Sequence, residues 1–515
     1  MAFSTITTGA IALGLAAMAF LFYTMRVKVD PREPPVVHPT VPFFGHLIGM
    51  LTEGPLYLKR VSERYKYPIF TLPMLNGKTY VVTAPTLAVA VQRASSTLDF
   101  DQLVVEMTPR LVGSSPEVKH IIEDPTAKQE GRTRLVTRFH AAINPQLAAH
   151  RILDVTQMQM DHFASYFNNI SEGQELDLYK SVTREVTNAS MYTFYGPHNP
   201  FAVDPDLVEK YWDWDDGNVG YAVGLFPKYT ARKAYLGIEA CVNGFHEYTK
   251  KGLHDEAVAF IKSRRDMHFE DGISPYEHAR LEMGMAFAFN SNASITTFWV
   301  LNNISSRPDL LSEIRNEIQG NAFHAPDTIS AADLRDKCPL LNSVWRETMR
   351  LIAPMTSARI VLEDTILADT YLLRKGSVVQ IAGGVLHSDT EIWGPDASSF
   401  NARRFYHHAN GTKTNASGNI VDEKASVVHP AAWRAFGGGV SLCPGRHFAQ
   451  LEVVSLVAVY VMGFELQPVG GKVGEWDPIR DDKRFPLAVT KPVGDVRVQA
   501  SRRRGFEDVK WVLKA

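Results

Sequence analysis

The chain has 515 residues, 45% of them hydrophobic and 21% charged, the composition of a globular protein with a large core. Lys plus Arg (54) and Asp plus Glu (56) nearly cancel, leaving a net charge of −2, so no basic excess points to nucleic acid. Cys241, Cys338 and Cys443 are too few, and odd in number, for a disulfide scaffold; they suit a reducing compartment.

Residues 1–25 carry no charged side chain, and Ile6 to Tyr23 is almost continuously apolar. Arg26, Lys28 and Arg32 follow, whereas a cleaved signal peptide carries its positive charges before the apolar run. The segment is therefore expected to anchor the chain by a single span, with the body on the cytosolic side. Pro31, Pro34 and Pro35 mark residues 26–45 as a hinge, and residues 46–515 are expected to form the folded body.

Downstream, apolar residues recur at three- and four-residue spacing over Leu147–Phe167, Leu176–Tyr195, Gly237–Arg264 and Tyr276–Ser305, which predicts helices. Short strands are expected at Thr79–Val82, Ile360–Leu362, Ser377–Ile381 and Val496–Val498. No strand–helix alternation is present, so the fold class is mainly α with small β-sheets. Tyr406 to Val428 encloses a polar insert, in which His407 and His408 read as part of a solvated loop.

Three segments carry chemistry. Leu341–Arg350 reads as a helix with Glu347 and Arg350 on one side, three residues apart. Phe400-Asn401-Ala402-Arg403-Arg404-Phe405 places two arginines before an aromatic. Phe436-Gly437-Gly438-Gly439-Val440-Ser441-Leu442-Cys443-Pro444-Gly445-Arg446 then sets a cysteine in a glycine-rich turn before a helix that Pro444 can open. A helix N-terminus favours a negative sulfur, and Phe436 supplies an apolar wall beside it.

The Phe-x-x-Gly-x-x-x-Cys-x-Gly pattern, the Glu-x-x-Arg pair and the Arg-Phe ending resemble the cytochrome P450 family, in the family's order and separations. The resemblance implies a cytochrome P450 fold behind one transmembrane helix. Thr40–His46 looks like the hinge that docks the catalytic domain against that anchor. It implies haem b with Cys443 as its axial thiolate, shaped by Phe436, Gly439 and Gly445, and Arg359 on one propionate. Glu347, Arg350 and Arg404 would form a structural charge triad. Ser441 stands where many members carry a second propionate cation; Arg132 and Arg134 remain alternatives for another such contact.

The helix expected above the iron departs from the family. Asn292 and Ala293 occupy the places of its usual acid and threonine, and no carboxylate lies between Gly284 and Pro308. Asn292 and the Thr297-Phe298-Trp299 ending resemble the branch of sterol 7α- and 12α-hydroxylases and prostacyclin synthase. Asn292 is the candidate distal residue, and Ser294 or Ser291 could hold a proton-relay water.

The expected function is a haem-thiolate monooxygenase of the endoplasmic reticulum membrane acting on a lipophilic small molecule such as a terpenoid or steroid. The implied electron donor is NADPH–cytochrome P450 reductase, with cytochrome b5 as an additional partner and no nucleic acid. The alternative is a haem-thiolate isomerase or dehydratase that rearranges a peroxide or other activated substrate without external electrons. Candidate substrate walls are Leu103–Met107, Tyr221–Phe226, Phe289 and Met355–Ala358.

Overall fold

A computed structural model describes residues 29–39, 41, 44–74, 77–127, 129–148, 151–406, 412–414, 420–422, 428–470, 476–485, 487 and 489–515. The expected anchor at 1–25 lies outside these residues, as do Thr40, Pro42, Phe43, His407 and His408. Among the described residues no helix is long and apolar enough to cross a membrane.

Helices dominate. The longest, Pro275–Ser305, runs for 31 residues, about 46 Å at 1.5 Å per residue. Its start is written locally: Ser274 accepts from the Glu277 N–H, Pro275 takes the first turn, and Glu277 supplies a negative charge there. Its middle is apolar on nearly every side because other helices pack around it, including Leu178–Tyr195, Arg232–Lys250, Pro339–Ile352 and Arg446–Gly463. We call it the central helix.

Most expected elements recur with shifted ends. The stretch at Leu147–Phe167 is helical from Ile152 to Asn168, and that at Leu176–Tyr195 begins as a strand, Gln174–Asp177, before its helix. Gly237–Arg264 is not one helix. It divides into the end of Arg232–Lys250, a 3-10 turn at Leu253–Glu256, and Ala259–Glu270. Gly252, at φ 68°, leaves the right-handed helical region and stops the first of them.

The largest sheet orders Ile69–Met74, Gly77–Val82, Val378–Ala382, Thr356–Val361 and Leu98–Asp99 side by side. Gly77–Val82 runs parallel to Val378–Ala382, with Val82 opposite Ile381, and the other pairings are antiparallel. Part of the expected hinge belongs to this layer. Val36 bridges to Thr71, Val37 is buried, and Glu33 accepts from Lys78 Nζ and Tyr80 Oη. The polar insert is not wholly loop either, because Thr412–Thr414 pairs with Ile420–Asp422.

One carboxyl in the core has no cation beside it. Glu452, on Arg446–Gly463, is fully buried and takes hydrogen bonds from Ser190 and Gln159, while its second oxygen has no partner. Burial pushes its pKa from the ordinary 4.5 up to about 8. The folded protein therefore holds a proton that the unfolded chain releases, and stability falls as pH rises from about 4.5 to about 8. Glu452→Gln keeps the hydrogen bonds and removes the titration. Its melting temperature is expected to match the wild type near pH 4.5 and to exceed it increasingly towards pH 8, as read by circular dichroism across that range; parallel curves would refute the assignment.

Candidate active site

The cysteine loop closes on itself. Cys443 N–H donates to the Phe436 carbonyl at 3.0 Å, and Gly437 and Gly439 take φ of 74° and 63°, where a side chain would be strained. A Cβ at Gly438 would run into Gln92 and Arg434, so the chain there is packed without room for one. The loop feeds directly into Arg446–Gly463. Burial pushes the Cys443 thiol up, and the Gly445 N–H and Arg446 pull it the other way. A coordinated metal would supply the remaining stabilisation of the thiolate.

Phe436 packs against Trp345 and Trp433, with ring centroids 6.0 and 5.9 Å away, and Arg346 lies over Trp433. Beyond the cysteine, Phe448 meets Phe194, which stacks on Phe289 at 4.0 Å. This column of rings joins the cysteine-bearing segment to the central helix. Phe289 therefore belongs to the core aromatic stack, not to a substrate wall.

The charge triad is assembled as expected. Glu347 receives two hydrogen bonds from Arg350, both at 2.8 Å, and one from Arg404 at 3.0 Å. Glu347 and Arg350 are completely buried at their side chains. Arg350 also donates to the carbonyls of His387 and Ala397, and Arg404 reaches Asp396 at 2.9 Å, a fourth member absent from the sequence reading. Arg403, its neighbour, points instead to Glu313 on an exposed face. Asn401 N–H adds a bond to Glu347, so nearly every polar atom of the cluster is matched.

Two other buried cations are not matched. Arg359 is 1% exposed and donates to Ser357 and Ser441; Arg434 is 7% exposed, with Nε and one Nη lacking any partner. Neither meets a carboxylate among the described residues. Burial drives Arg359 down to about 10, with Arg434 repelling it, and lowers Arg434 as well. Two adjacent buried guanidiniums without acids fit a dianion such as the paired propionates of haem. Arg132 and Arg134 do not offer themselves in this way, being paired with Asp124 and Glu130, and with Asp99. Arg434 was missed in the sequence; the signal was a lone arginine in the apolar run Ala431-Ala432-Trp433-Arg434-Ala435-Phe436. Ser441 turns out to hold Arg359, not a propionate partner of its own.

On the central helix, Gly284, Ala288 and Asn292 form a partly open stripe at four-residue intervals, with Ala288 exposed. Gly284 approaches Thr108 and Val112 of Phe100–Val112, so the stripe faces the helix that carries Leu103–Met107. At about 100° per residue, Asn292 lies about 40° from Ala288, Ser291 about 60° and Ser294 about 120°. Asn292 Oδ1 accepts from the Val489 N–H at 3.2 Å, and Ser294 Oγ is buried without a partner. Of the other expected walls, Tyr221 is buried, Leu225 and Phe226 project outward, and Met355 and Thr356 line a cavity with Met50, Leu58 and Phe485.

His268, His278 and Glu282 also come together in the interior, and His254 extends the chain. Both Glu282 oxygens are already taken, by Arg264 and Tyr195, and the adjacent guanidinium opposes a cation. We assign this cluster no metal.

A mainly helical domain with a glycine-rich cysteine loop, an isolated charge triad and two unmatched arginines defines a haem-thiolate protein. The cytochrome P450 family profile matches residues 34–480. The chain is 29% identical to cytochrome P450 monooxygenase nodJ of Hypoxylon pulicicidum, over 97% of this chain and 96% of that protein. It is 30% identical to a cytochrome P450 monooxygenase of Gibberella zeae, over 97% and 95%. It is 22% identical to the 5-beta-cholestane-3-alpha,7-alpha-diol 12-alpha-hydroxylase of Sus scrofa, over 91% and 92%. The chain belongs to the cytochrome P450 family, as a monooxygenase whose cofactor is haem held by a cysteine thiolate.

Removing one member of the triad strands a buried charge, which costs about 3–5 kcal/mol. Glu347→Ala is therefore expected to lower the melting temperature sharply and to reduce haem per protein. Arg434→Met should lower haem retention more than it lowers apoprotein stability, as measured by haem-to-protein ratio during dilution; equal haem loss from wild type would remove Arg434 from the cofactor site.

Proposed function

We propose that this chain is a membrane-anchored monooxygenase of the endoplasmic reticulum, oxidising a lipophilic terpenoid- or steroid-like molecule with electrons from NADPH–cytochrome P450 reductase. Cys443 would hold its haem iron through the thiolate. The observation that carries this reading is the junction of the Cys443 loop with the unmatched Arg359 and Arg434, a thiol and two cations arranged for one dianionic cofactor. The apolar run before Arg26 supports the anchor, and the 22% identity to a relative named as a cholestane-diol hydroxylase supports the substrate class.

Each part of the protein has a task in this reaction. The loop glycines let the backbone lie close to a flat cofactor while Phe436 excludes water from the sulfur. Arg359 and Arg434 would hold the cofactor's acidic edge, and the triad keeps the chain between them in register. Haem, when bound, supplies oxygen activation promoted by electron donation from the thiolate. The stripe from Gly284 to Asn292 and the facing helix Phe100–Val112 bound the space for an apolar substrate. Val440 and Leu442 are exposed beside Cys443, with Arg446 and His447 adjacent, a surface suited to an acidic redox partner.

Reduced protein exposed to carbon monoxide should show the shifted Soret band of a thiolate-bound haem, and Cys443→Ala should abolish it. An unshifted band in the wild type, or an unchanged one in the variant, would refute the ligand. Product formation that needs NADPH and reductase is expected; turnover of a peroxide substrate without electrons would favour rearrangement instead.

A further inference from the structure

A monooxygenase turnover consumes O2, two electrons and two protons; one oxygen atom enters the substrate and the other leaves as water. The protons must cross a site from which bulk water is excluded. The central part of the central helix carries no acid of its own. The fold brings one to it from elsewhere.

Asp215 lies on Asp206–Val223, the helix that crosses beside the central one, and is 1% exposed. Its Oδ1 accepts a hydrogen bond from Ser291 Oγ, and its Oδ2 accepts from Lys491 Nζ. Lys491 also bonds Asp216 Oδ1 at 2.7 Å, and the Asp216 side chain is 57% exposed. Arg484 fixes the turn of helix that holds both acids by donating to the carbonyls of Asp215 and Asp216, at 2.8 and 2.6 Å. A small cavity lined by Asn218, Asp481, Arg484, Leu487 and Val489 adjoins Asp215 and Lys491. The result is an unbroken hydrogen-bonded line from solvent to the central helix: Asp216, Lys491, Asp215, Ser291.

Its inner end is Ser291, on the turn of the central helix that carries Ala288 and Asn292. Ser291 sits between Ala288 and Asn292 in sequence, about 60° from the open stripe, closer than Ser294. The Asn292 side-chain oxygen is occupied by the Val489 N–H. With its one proton donated to Asp215, Ser291 Oγ accepts from Tyr211 Oη at 2.7 Å, which holds its hydroxyl between two partners.

We propose that Asp215 is the distal acid of this enzyme and passes protons through Ser291, the line being refilled from solvent by way of Lys491 and Asp216. In one passage Lys491 gives a proton to the Asp215 carboxylate and regains one from water at Asp216. Asp215 hands its proton to Ser291 Oγ as Ser291 releases its own towards the stripe, so the line ends as it began. Ser291 is the delivering group, and Asp215 and Lys491 are positioning and relay residues acting through it. The inference rests on the O2- and electron-dependent reading of the enzyme.

The test uses the full-length holoenzyme with reductase and needs no identified substrate. NADPH-driven O2 consumption is one arm; the other is reduction of cumene hydroperoxide, whose oxygen is already at the peroxide level, to its alcohol and water, with the two electrons and two protons taken from an added phenolic co-substrate. Asp215→Asn is expected to slow the first about 100-fold and to enlarge its solvent isotope effect, while leaving the second unchanged. Asp215→Glu should recover most of the rate. The carbon monoxide difference spectrum reports whether each variant is intact, and if Asp215→Asn fails that check, Ser291→Ala carries the test with the Asp215–Lys491 pair preserved. Equal losses in both arms would reduce the line to a structural clasp, and no loss in either would remove it from catalysis. Wild type that shows the shifted Soret band and cleaves hydroperoxide, but consumes no O2 with reductase, would instead overturn the electron-dependent reading itself.

Discussion

Burying charge is the constraint on which the architecture depends. Glu347, Arg350 and Arg404 are withdrawn from water, and they are tolerable there because their polar atoms meet one another, Asp396, or backbone carbonyls of the 387–397 segment. In meeting those needs the three side chains bind Pro339–Ile352 to the irregular chain that leads to the cysteine loop. Such a cluster adds little net stability over an apolar one, but it accepts one arrangement of the chain and penalises others.

The same physics, left incomplete, marks the cofactor site. Arg359 and Arg434 are buried as deeply as the triad but lack anions. A cation without a counter-charge in the interior is expensive, so its persistence signals a negative ligand. The triad organises protein against protein; the arginine pair organises protein against haem. The two clusters lie on connected segments, since Arg434 N–H donates to His387 Nε2 and Arg350 holds the His387 carbonyl.

The distal side shows how a missing residue can be supplied from another part of the fold. No carboxylate is written into the central helix beyond Gly284, yet Asp215 reaches Ser291 because two helices cross with a short polar contact between them. Lys491, from the C-terminal region, completes the charge balance. This arrangement ties Asp206–Val223 to the central helix through buried, paired charge.

Much was legible from sequence. Cys443 in its glycine turn, the Glu347–Arg350 spacing and the long apolar helix ending at Ser305 are local patterns, fixed by backbone freedom, helical periodicity and an N-terminal cap. Their places in the structure agree with those patterns. Other features depend on pairs far apart in the chain. Periodicity alone could not tell that Phe289 would stack on Phe194, that Arg404 and not Arg403 would reach Glu347, or that Glu33 would dock into the sheet. It also gave no reason to join Arg434 with Arg359, or Asp215 with Ser291. The sequence by itself determined the family and the cofactor, because those are carried by short motifs. Tertiary structure alone decided which charges are paired and which are left open, since burial and contact are properties of the folded chain.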